Sequence, residues 1–175
     1  MNHAFEPFEQ GIERVAGKLP GMPQEAVVLT RLLLFTFSCV NDDLNRFLAD
    51  HGLNTTSALA LAMIYGSADN RVNPCELSRT LNSSRTNVTR LTDELERQGW
   101  VERNISNEDR RRIDLSLTAA GTDLVRRFLP LQWAHVQSLW EGFEAEERAA
   151  LERLLRKMLT RLDTLQAADH QSPTC

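Results

Sequence analysis

The chain has few cysteines, and they are scattered. Its 175 residues include three, Cys39, Cys75 and Cys175. An odd, widely spaced set is not the paired framework that stabilises small secreted domains. The N-terminus also lacks the basic region of a secretory signal. We therefore expect a protein of a reducing compartment, the cytoplasm.

Long apolar runs are missing as well. No apolar stretch reaches the roughly 18–20 residues that a membrane span needs. Glycine and proline number only eight and six, whereas hydrophobic residues make up 42% of the chain. This composition excludes a collagen-like or low-complexity chain and favours a helix-rich globular fold.

The sequence also lacks the motifs of common enzyme classes. It contains no glycine-rich phosphate loop, no G-x-S-x-G motif and no pair of carboxylates in an acid–base setting. The four histidines are too dispersed for a zinc site. We therefore predict that the chain is not an enzyme, and we expect no metal and no cofactor.

Positive charge is scarce overall but concentrated in the middle of the chain. The net charge is −4, and the segments before residue 71 and after residue 112 are both acidic. Between them, nine arginines outnumber seven acids. Arginine suits bidentate contacts with phosphate and guanine. A nucleic-acid partner would therefore bind this middle segment.

Two short helices are predicted in this arginine-rich segment. Asn73-Pro74-Cys75-Glu76 is a strong helix start, because its Asn, Pro and Glu each deal with a backbone N–H that lacks a helical partner. After the polar break at residues 82–84, a second helix runs to about Gln98, and Gly99 ends it. The pair predicts a helix-turn-helix whose second helix is available to a major groove.

The second helix has an apolar and a polar face. Val88, Leu91 and Leu95 recur at helical spacing and predict the buried stripe. The other face offers side chains that pair with base edges and phosphates. Either serine of the break can cap the helix, with Ser83 favoured. The candidates for DNA contact are Ser83, Ser84, Arg85, Thr86, Asn87, Thr89 and Arg90.

Two strands are predicted after the second helix. Residues 100–103 and 112–117 alternate in hydrophobicity like half-buried strands. The loop between them ends in Arg110 and Arg111. A helix-turn-helix followed by a two-stranded ribbon with a basic tip is typical of a winged helix, and such arginines can enter a minor groove.

These motifs resemble those of a known family. Asp109-Arg110-Arg111 and the following L-S-L-T-A-A-G at residues 115–121 resemble the D-x-R…L-x-L-T-x-x-G wing signature of MarR-family transcriptional regulators. Residues 83–90 and 94–100 are similar to the multidrug-efflux repressor branch of that family, the EmrR (MprA) type. The resemblance runs from about residue 29 to residue 165.

The resemblance implies a role for each residue of the wing. The family pattern pairs Asp109 with Arg111, so Arg111 would enter the minor groove while Asp109 orients it. Arg110 would reach a phosphate. Arg112 begins a strand, and its role is left open between a DNA contact and a surface residue.

Apolar helices are predicted on both sides of the DNA-reading unit. Residues 24–50 are apolar on more than one face, and leucines between residues 151 and 165 repeat at helical spacing. Such surplus apolar surface needs a partner. MarR-family proteins are dimers, so the resemblance implies a homodimer that sets two recognition helices about one DNA turn apart on a pseudo-palindromic operator.

The predicted fold class is mainly α with a small β-wing. The helix after the wing meets Pro130, which kinks or ends it. The expected divisions are N-terminal helices with part of the dimerisation surface (residues 1–52), the winged helix-turn-helix (53–120), C-terminal dimerisation helices (121–167) and a flexible tail (168–175).

The resemblance also implies a small-molecule ligand. Relatives are released from DNA by phenolic or aromatic-carboxylate compounds, which lodge between the dimerisation helices and the winged helix. An Arg or His would meet the carboxylate, and aromatic side chains would stack on the ring. The candidates are Arg46, His51, Met63, Tyr65 and Trp133, each of which can equally be an ordinary core or helix-end residue.

The sequence therefore predicts a dimeric repressor that a small aromatic ligand releases from double-stranded DNA. A redox-responsive regulator of the same fold is one alternative. It would use Cys39, but no cation flanks that residue, and a buried structural thiol is the favoured interpretation. The other alternative is a winged helix that docks proteins without binding DNA. Such a protein would have no electrostatic reason to keep arginines in its wing.

Overall fold

A computed structural model of the chain describes residues 4–67, 69–105 and 113–169. The chain divides into two compact units, residues 1–133 and residues 134–175. The elements are, in chain order, α1 (Glu6–Ala16), α2 (Gln24–Ala49), α3 (Thr55–Gly66), β1 (Arg71–Val72), α4 (Pro74–Thr80), α5 (Arg85–Arg97), β2 (Val101–Ile105), β3 (Ile113–Leu117), α6 (Ala119–Ser138) and α7 (Ala145–Asp169). The predicted fold class, mainly helical with a small sheet, is confirmed.

The first unit begins with two helices that leave much apolar surface exposed. The Phe5 ring is buried beside Phe8 and Phe35, with centroids 5.8 and 5.5 Å away, and this cluster packs α1 against α2. Leu48 is the one buried side chain of α2. The large apolar side chains that α2 exposes are Leu29, Leu32, Leu33, Leu34, Phe37 and Val40.

The core of the first unit is built around α3. Its N-cap Asn54 accepts a hydrogen bond from the Ser57 amide at 2.9 Å, and the Ser57 hydroxyl accepts one from the Asn54 amide. After its polar first turn the helix is apolar on more than one face, and α2, β1 and β3 each contact it. Its Leu61 and Ile64 are fully buried in a cluster that also contains Leu77, Val88, Leu95, Leu115 and Phe128. Burying a side chain of this size stabilises the fold by about 1.5–3 kcal/mol.

The three strands form an antiparallel sheet in the order β1-β3-β2. Val72 lies opposite Leu115, and Val101 lies opposite Leu117. The first strand is absent from the sequence prediction, because two residues are too few to display alternation. The last described pair of β2 and β3 is Ile105 with Ile113.

The sheet is joined to α6 by a capped and closely packed helix start. The Thr118 hydroxyl accepts a hydrogen bond from the Gly121 amide at 3.0 Å and donates one to the Gly99 carbonyl at 2.6 Å. The Thr118 side chain therefore caps the start of α6. Pro130 lies inside α6, which continues to Ser138, so the proline does not end the helix.

The second unit is dominated by α7. This helix runs to Asp169, and residues 170–175 lie outside the described part, so the predicted tail from residue 168 stays a prediction. Among the described residues, no helix is long and apolar enough to cross a membrane. The large apolar side chains that α7 exposes are Leu151, Leu154, Leu155, Met158, Leu159, Leu162 and Leu165.

Candidate nucleic-acid interface

The turn between α4 and α5 is held by a reciprocal pair of hydrogen bonds. The Ser83 amide donates to the Ser78 carbonyl at 3.0 Å, and the Ser78 hydroxyl donates to the Ser83 carbonyl at 2.6 Å. Asn82 between them has φ +45°, a left-handed conformation that Asn tolerates better than most residues. These contacts fix the angle at which α5 leaves α4. Nothing in the sequence singled out Ser78.

The recognition helix begins at Arg85 and is capped by Ser84. The Ser84 hydroxyl oxygen accepts a hydrogen bond from the Asn87 amide at 3.2 Å. The prediction that Ser83 is the cap is therefore wrong, because the contacts with Ser78 hold Ser83 within the turn. The Ser84 hydroxyl keeps its proton available at a helix N-terminus, where a phosphate is favoured.

The first half of α5 presents the predicted contact residues to solvent. Within the described residues, no ion pair engages Arg85 or Arg90. Thr89 donates its hydroxyl to the Arg85 carbonyl at 3.0 Å, which leaves its methyl group exposed. The side chains exposed on this face are Ser84, Arg85, Thr86, Asn87, Thr89 and Arg90, whereas Ser83 is half-buried.

The second half of α5 carries three acids, and each of them is paired with an arginine. Arg97 lies 2.6 Å from Glu94 on the same helix. The hydrogen bond from Arg97, followed by one from Gln98, holds the pKa of Glu94 below its ordinary value. The other two acids, Asp93 and Glu96, are held from outside the helix.

Arg103 of β2 makes those outside contacts. Its guanidinium lies 2.5 Å from Asp93 and 3.1 Å from Glu96, and it donates to the Thr92 hydroxyl at 2.7 Å. Sequence reasoning missed both Arg103 and the buried Thr92. Strand alternation placed Arg103 on the same side as the buried Val101, which faces the core.

The charge along α5 is therefore divided by position. In the first half stand Arg85 and Arg90, which pair with no acid among the described residues, and the carboxylates of the second half are neutralised by Arg97 and Arg103. The positive end of the helix dipole adds to the positive charge of the first half. An anionic duplex would approach this half of the helix with little opposing charge.

An open groove separates α5 from the start of α3. Ser83, Asn87 and Arg90 line one side, and Asn54 and Thr56 line the other. Three of the predicted contact residues are thus brought together with the first turn of a second helix. Both helix N-terminal regions present polar side chains to the same groove.

The predicted contacts of the wing cannot be placed. Asp109, Arg110 and Arg111 lie outside the described residues, as does Arg112. The flanking strands β2 and β3 pair in register up to Ile105 and Ile113. The roles of these wing residues in DNA binding stay predictions.

The five residues predicted to bind a ligand have separate surroundings. Arg46 is 79% exposed and pairs with Asp43 on its own helix at 3.3 Å. The rings of His51 and Phe47 are 5.8 Å apart. Met63 packs against the core and Trp133 is exposed. Tyr65 accepts a hydrogen bond from Arg126 at 3.4 Å.

The cysteine of the redox alternative is not buried in this chain. Cys39 is exposed on α2, which contradicts the expectation of a buried structural thiol. The apolar side chains of this part of α2, Phe37 and Val40 among them, are exposed as well, so no described element of the first unit covers it. Among the described residues, no group of His, Cys, Asp or Glu side chains is arranged to hold a metal ion.

Known proteins similar to this chain are regulators of transcription. The sequence model of the MarR family matches residues 51–112. The transcriptional repressor MprA of Escherichia coli K12 is 37% identical over 166 residues, which are 95% of this chain and 94% of that protein. A mutant MarR from E. coli, solved in complex with operator DNA, is 30% identical, with a TM-score of 0.69 over 79% of this chain and 98% of that one.

A more distant structure is similar in fold. The DNA complex of MepR from S. aureus is 22% identical, with a TM-score of 0.71 over 77% of this chain and 97% of that chain. Its similarity concerns the arrangement of helices and strands alone.

Proposed function

The chain belongs to the MarR family of transcriptional regulators, and from that premise we propose that it is a DNA-binding repressor acting as a homodimer on a pseudo-palindromic operator. The observation that carries the proposal is the division of charge along α5. Arg85 and Arg90 are exposed without an acidic partner among the described residues, while the three acids of the helix are paired. The repressor role also follows the printed function of MprA.

The recognition helix would bind the major groove with its first half. Arg85 or Arg90 would pair with guanine, Asn87 with adenine, and the Thr89 methyl group with a thymine methyl group. The capping hydroxyl of Ser84 would donate to a phosphate. Asp109, Arg110 and Arg111 of the wing would contact the adjacent minor groove, as the resemblance implies.

A second copy of the chain would cover the exposed apolar surface. Within the first unit, α2 exposes Phe37 at 68%, and within the second unit, α7 exposes Leu159 at 61%. Rows of exposed apolar side chains such as these, each within its own unit, are typical of interaction sites. Dimerisation would place two recognition helices about 34–36 Å apart, one turn of B-DNA.

A small aromatic ligand would release the repressor from DNA. The chemistry that such a ligand requires is a cation for its carboxylate and an apolar or aromatic wall for its ring. Of the five predicted ligand residues, Tyr65 has the surroundings that fit best, because an arginine lies against its phenol.

The test of DNA binding is fluorescence polarisation on a duplex from the promoter upstream of the protein's own gene. Arg85→Ala and Arg90→Ala should each weaken binding by about 1–3 kcal/mol if they contact guanine. If the replaced arginine contacts a phosphate instead, the substitution should reduce the salt dependence of binding by about one unit of slope. Arg127→Gln, a charge change on the exposed side of α6, is the control and should bind like the wild type.

The ligand is tested in the same assay by titrating aromatic carboxylates into the protein–DNA complex. Release supports gating by a small molecule.

Normal DNA binding by the Arg85→Ala, Arg90→Ala double variant would show that α5 does not read DNA in the proposed way.

A further inference from the structure

A proline lies in the interior of α6. Pro130 is followed by further helix up to Ser138. Because proline has no backbone N–H, the Arg126 carbonyl cannot receive the helical hydrogen bond that residue 130 would otherwise donate, and the proline ring crowds that carbonyl. Sharp bends in helices occur mostly at such positions. The helix is therefore weakened at one defined point.

The burial of α6 changes at the same point. Leu124, Val125 and Phe128 are buried in the core of the first unit. Of the described residues of α6 after Phe128, none is buried. The boundary between the two compact units falls between residues 133 and 134, within about one helical turn of the proline. The missing hydrogen bond thus lies where the helix leaves the core.

The other long apolar helix, α2, is attached to the same core near its C-terminal end. Leu48 is its buried side chain, and the Asn45 side-chain oxygen accepts a hydrogen bond from the Thr55 amide at 2.8 Å. Phe37, farther towards the N-terminus of α2, is 68% exposed. The exposed row of α2 therefore does not clamp α6 to the core beyond Phe128.

A weakened helical bond without buried side chains beyond it opens at little cost in free energy. Local opening is easiest where few apolar contacts must be broken. Hinges in proteins are a few residues that absorb changes in φ and ψ while the flanking parts stay rigid. The segment from Pro130 to the unit boundary has both properties, since its anchored side is buried and its far side is not.

We propose that α6 is hinged at Pro130, and that this hinge lets the two recognition helices of a dimer adjust to operators whose half-sites differ in spacing. One base pair moves a half-site by about 3.4 Å along B-DNA and by about 35° around it. A rigid dimer would lose affinity on such a change, whereas a bend in each α6 would absorb part of it. The adjustment to DNA rests on the proposed function, but the bending of α6 does not.

Hydrogen exchange of the full chain without DNA tests the hinge itself. Pro130→Ala should slow the exchange of the amides at residues 131–134 by at least about tenfold, because alanine restores the missing bond and favours the helix. Pro130→Gly restores the same donor but keeps a pliable backbone, so it should slow them less. Pro130 is exposed, so neither variant loses a buried contact. The amides of α3 are the internal control and should exchange as in the wild type.

Fluorescence polarisation tests the adjustment to DNA. The probe is the duplex from the promoter upstream of the protein's own gene, with its half-sites located by footprinting and with one base pair inserted or deleted between them. Pro130→Ala should bind the natural spacing like the wild type but lose at least about fivefold more affinity than the wild type on the altered duplexes. Pro130→Gly should lose no more than the wild type. Arg127→Gln, an exposed change in the anchored part of α6, is the matched control and should follow the wild type.

The two measurements separate the hinge from the proposed function. Equal exchange at residues 131–134 in the wild type and Pro130→Ala overturns the hinge, whatever the result with DNA. The same dependence on half-site spacing in the wild type, Pro130→Ala and Pro130→Gly overturns the adjustment to DNA. The expected exchange differences in a protein that fails to bind DNA support the hinge and contradict the proposed function.

Discussion

Arg103 links the first strand of the wing ribbon to the recognition helix. Its guanidinium contacts Asp93 and Glu96 of α5, and its own side chain is only 30% exposed. Arg103→Ala would leave two carboxylates unpaired on the helix that we propose to face DNA phosphates. We expect operator affinity to fall by about tenfold or more, because like charges across an interface are repelled. Fluorescence polarisation at fixed salt measures the loss.

The role of Arg103 can be separated into charge and position. If neutralisation matters most, adding Asp93→Asn and Glu96→Gln to Arg103→Ala restores the affinity. If positioning matters, Arg103→Lys loses affinity too, because lysine keeps the charge but cannot contact both acids as a fork. Operator affinity unchanged in Arg103→Ala would refute both roles.

Gly121 allows α6 to pack against the residue that precedes β2. A Cβ atom at this position would overlap the backbone carbonyl of Trp100, which also accepts a hydrogen bond from the Thr118 amide. Gly121→Ala must therefore move the helix or the strand, and we expect the free energy of unfolding to fall by about 1–3 kcal/mol. Urea denaturation followed by circular dichroism measures the change.

Gly66 provides a matched control for this substitution. It lies at the end of α3, and a Cβ there would meet no atom within 4 Å. Gly66→Ala should be neutral or slightly stabilising, because alanine favours a helix over glycine by about 1 kcal/mol. An equal loss of stability in both variants would show that contact with Trp100 is not the cause.

The sequence predicted the helices well because their starts and stops are local. The cap and proline at Asn73 and Pro74 define α4 through neighbouring residues alone, and the structure agrees. The cap of α5 could not be decided in this way, since Ser83 and Ser84 are adjacent and chemically equal. The contact between Ser78 and Ser83 decides it, and that contact depends on how α4 and α5 meet.

The site was predictable where it depends on one helix and not where it depends on two elements. The exposed face around Arg85 follows from helical spacing. The contacts of Arg103 with α5, and of Arg126 with Tyr65, join residues 10 and 61 positions apart in the chain. No local pattern in the sequence reports such a contact. The same is true of Cys39, whose exposure depends on what covers α2.

At the scale of the whole molecule, each unit leaves large apolar side chains exposed in the part of the chain that the structure describes. The large apolar side chains of α7 repeat along one face, and each is at least 36% exposed. Leaving one leucine in water rather than buried costs about 1.5–3 kcal/mol. A row of seven would make a lone chain poorly soluble, so we expect a second copy to cover them. Interfaces between identical chains usually have two-fold symmetry.

Leu159→Glu should therefore convert the proposed dimer to a monomer. The side chain is 61% exposed in the isolated chain, so its replacement removes little internal contact and the helix content should persist. Operator affinity should fall steeply, because one recognition helix then binds one half-site without the other. Thr160→Glu adds the same charge on the opposite face of α7 and should remain dimeric. Light scattering after gel filtration measures the molar mass and so distinguishes monomer from dimer. A Leu159→Glu protein that stays dimeric would contradict an interface formed by this face of α7.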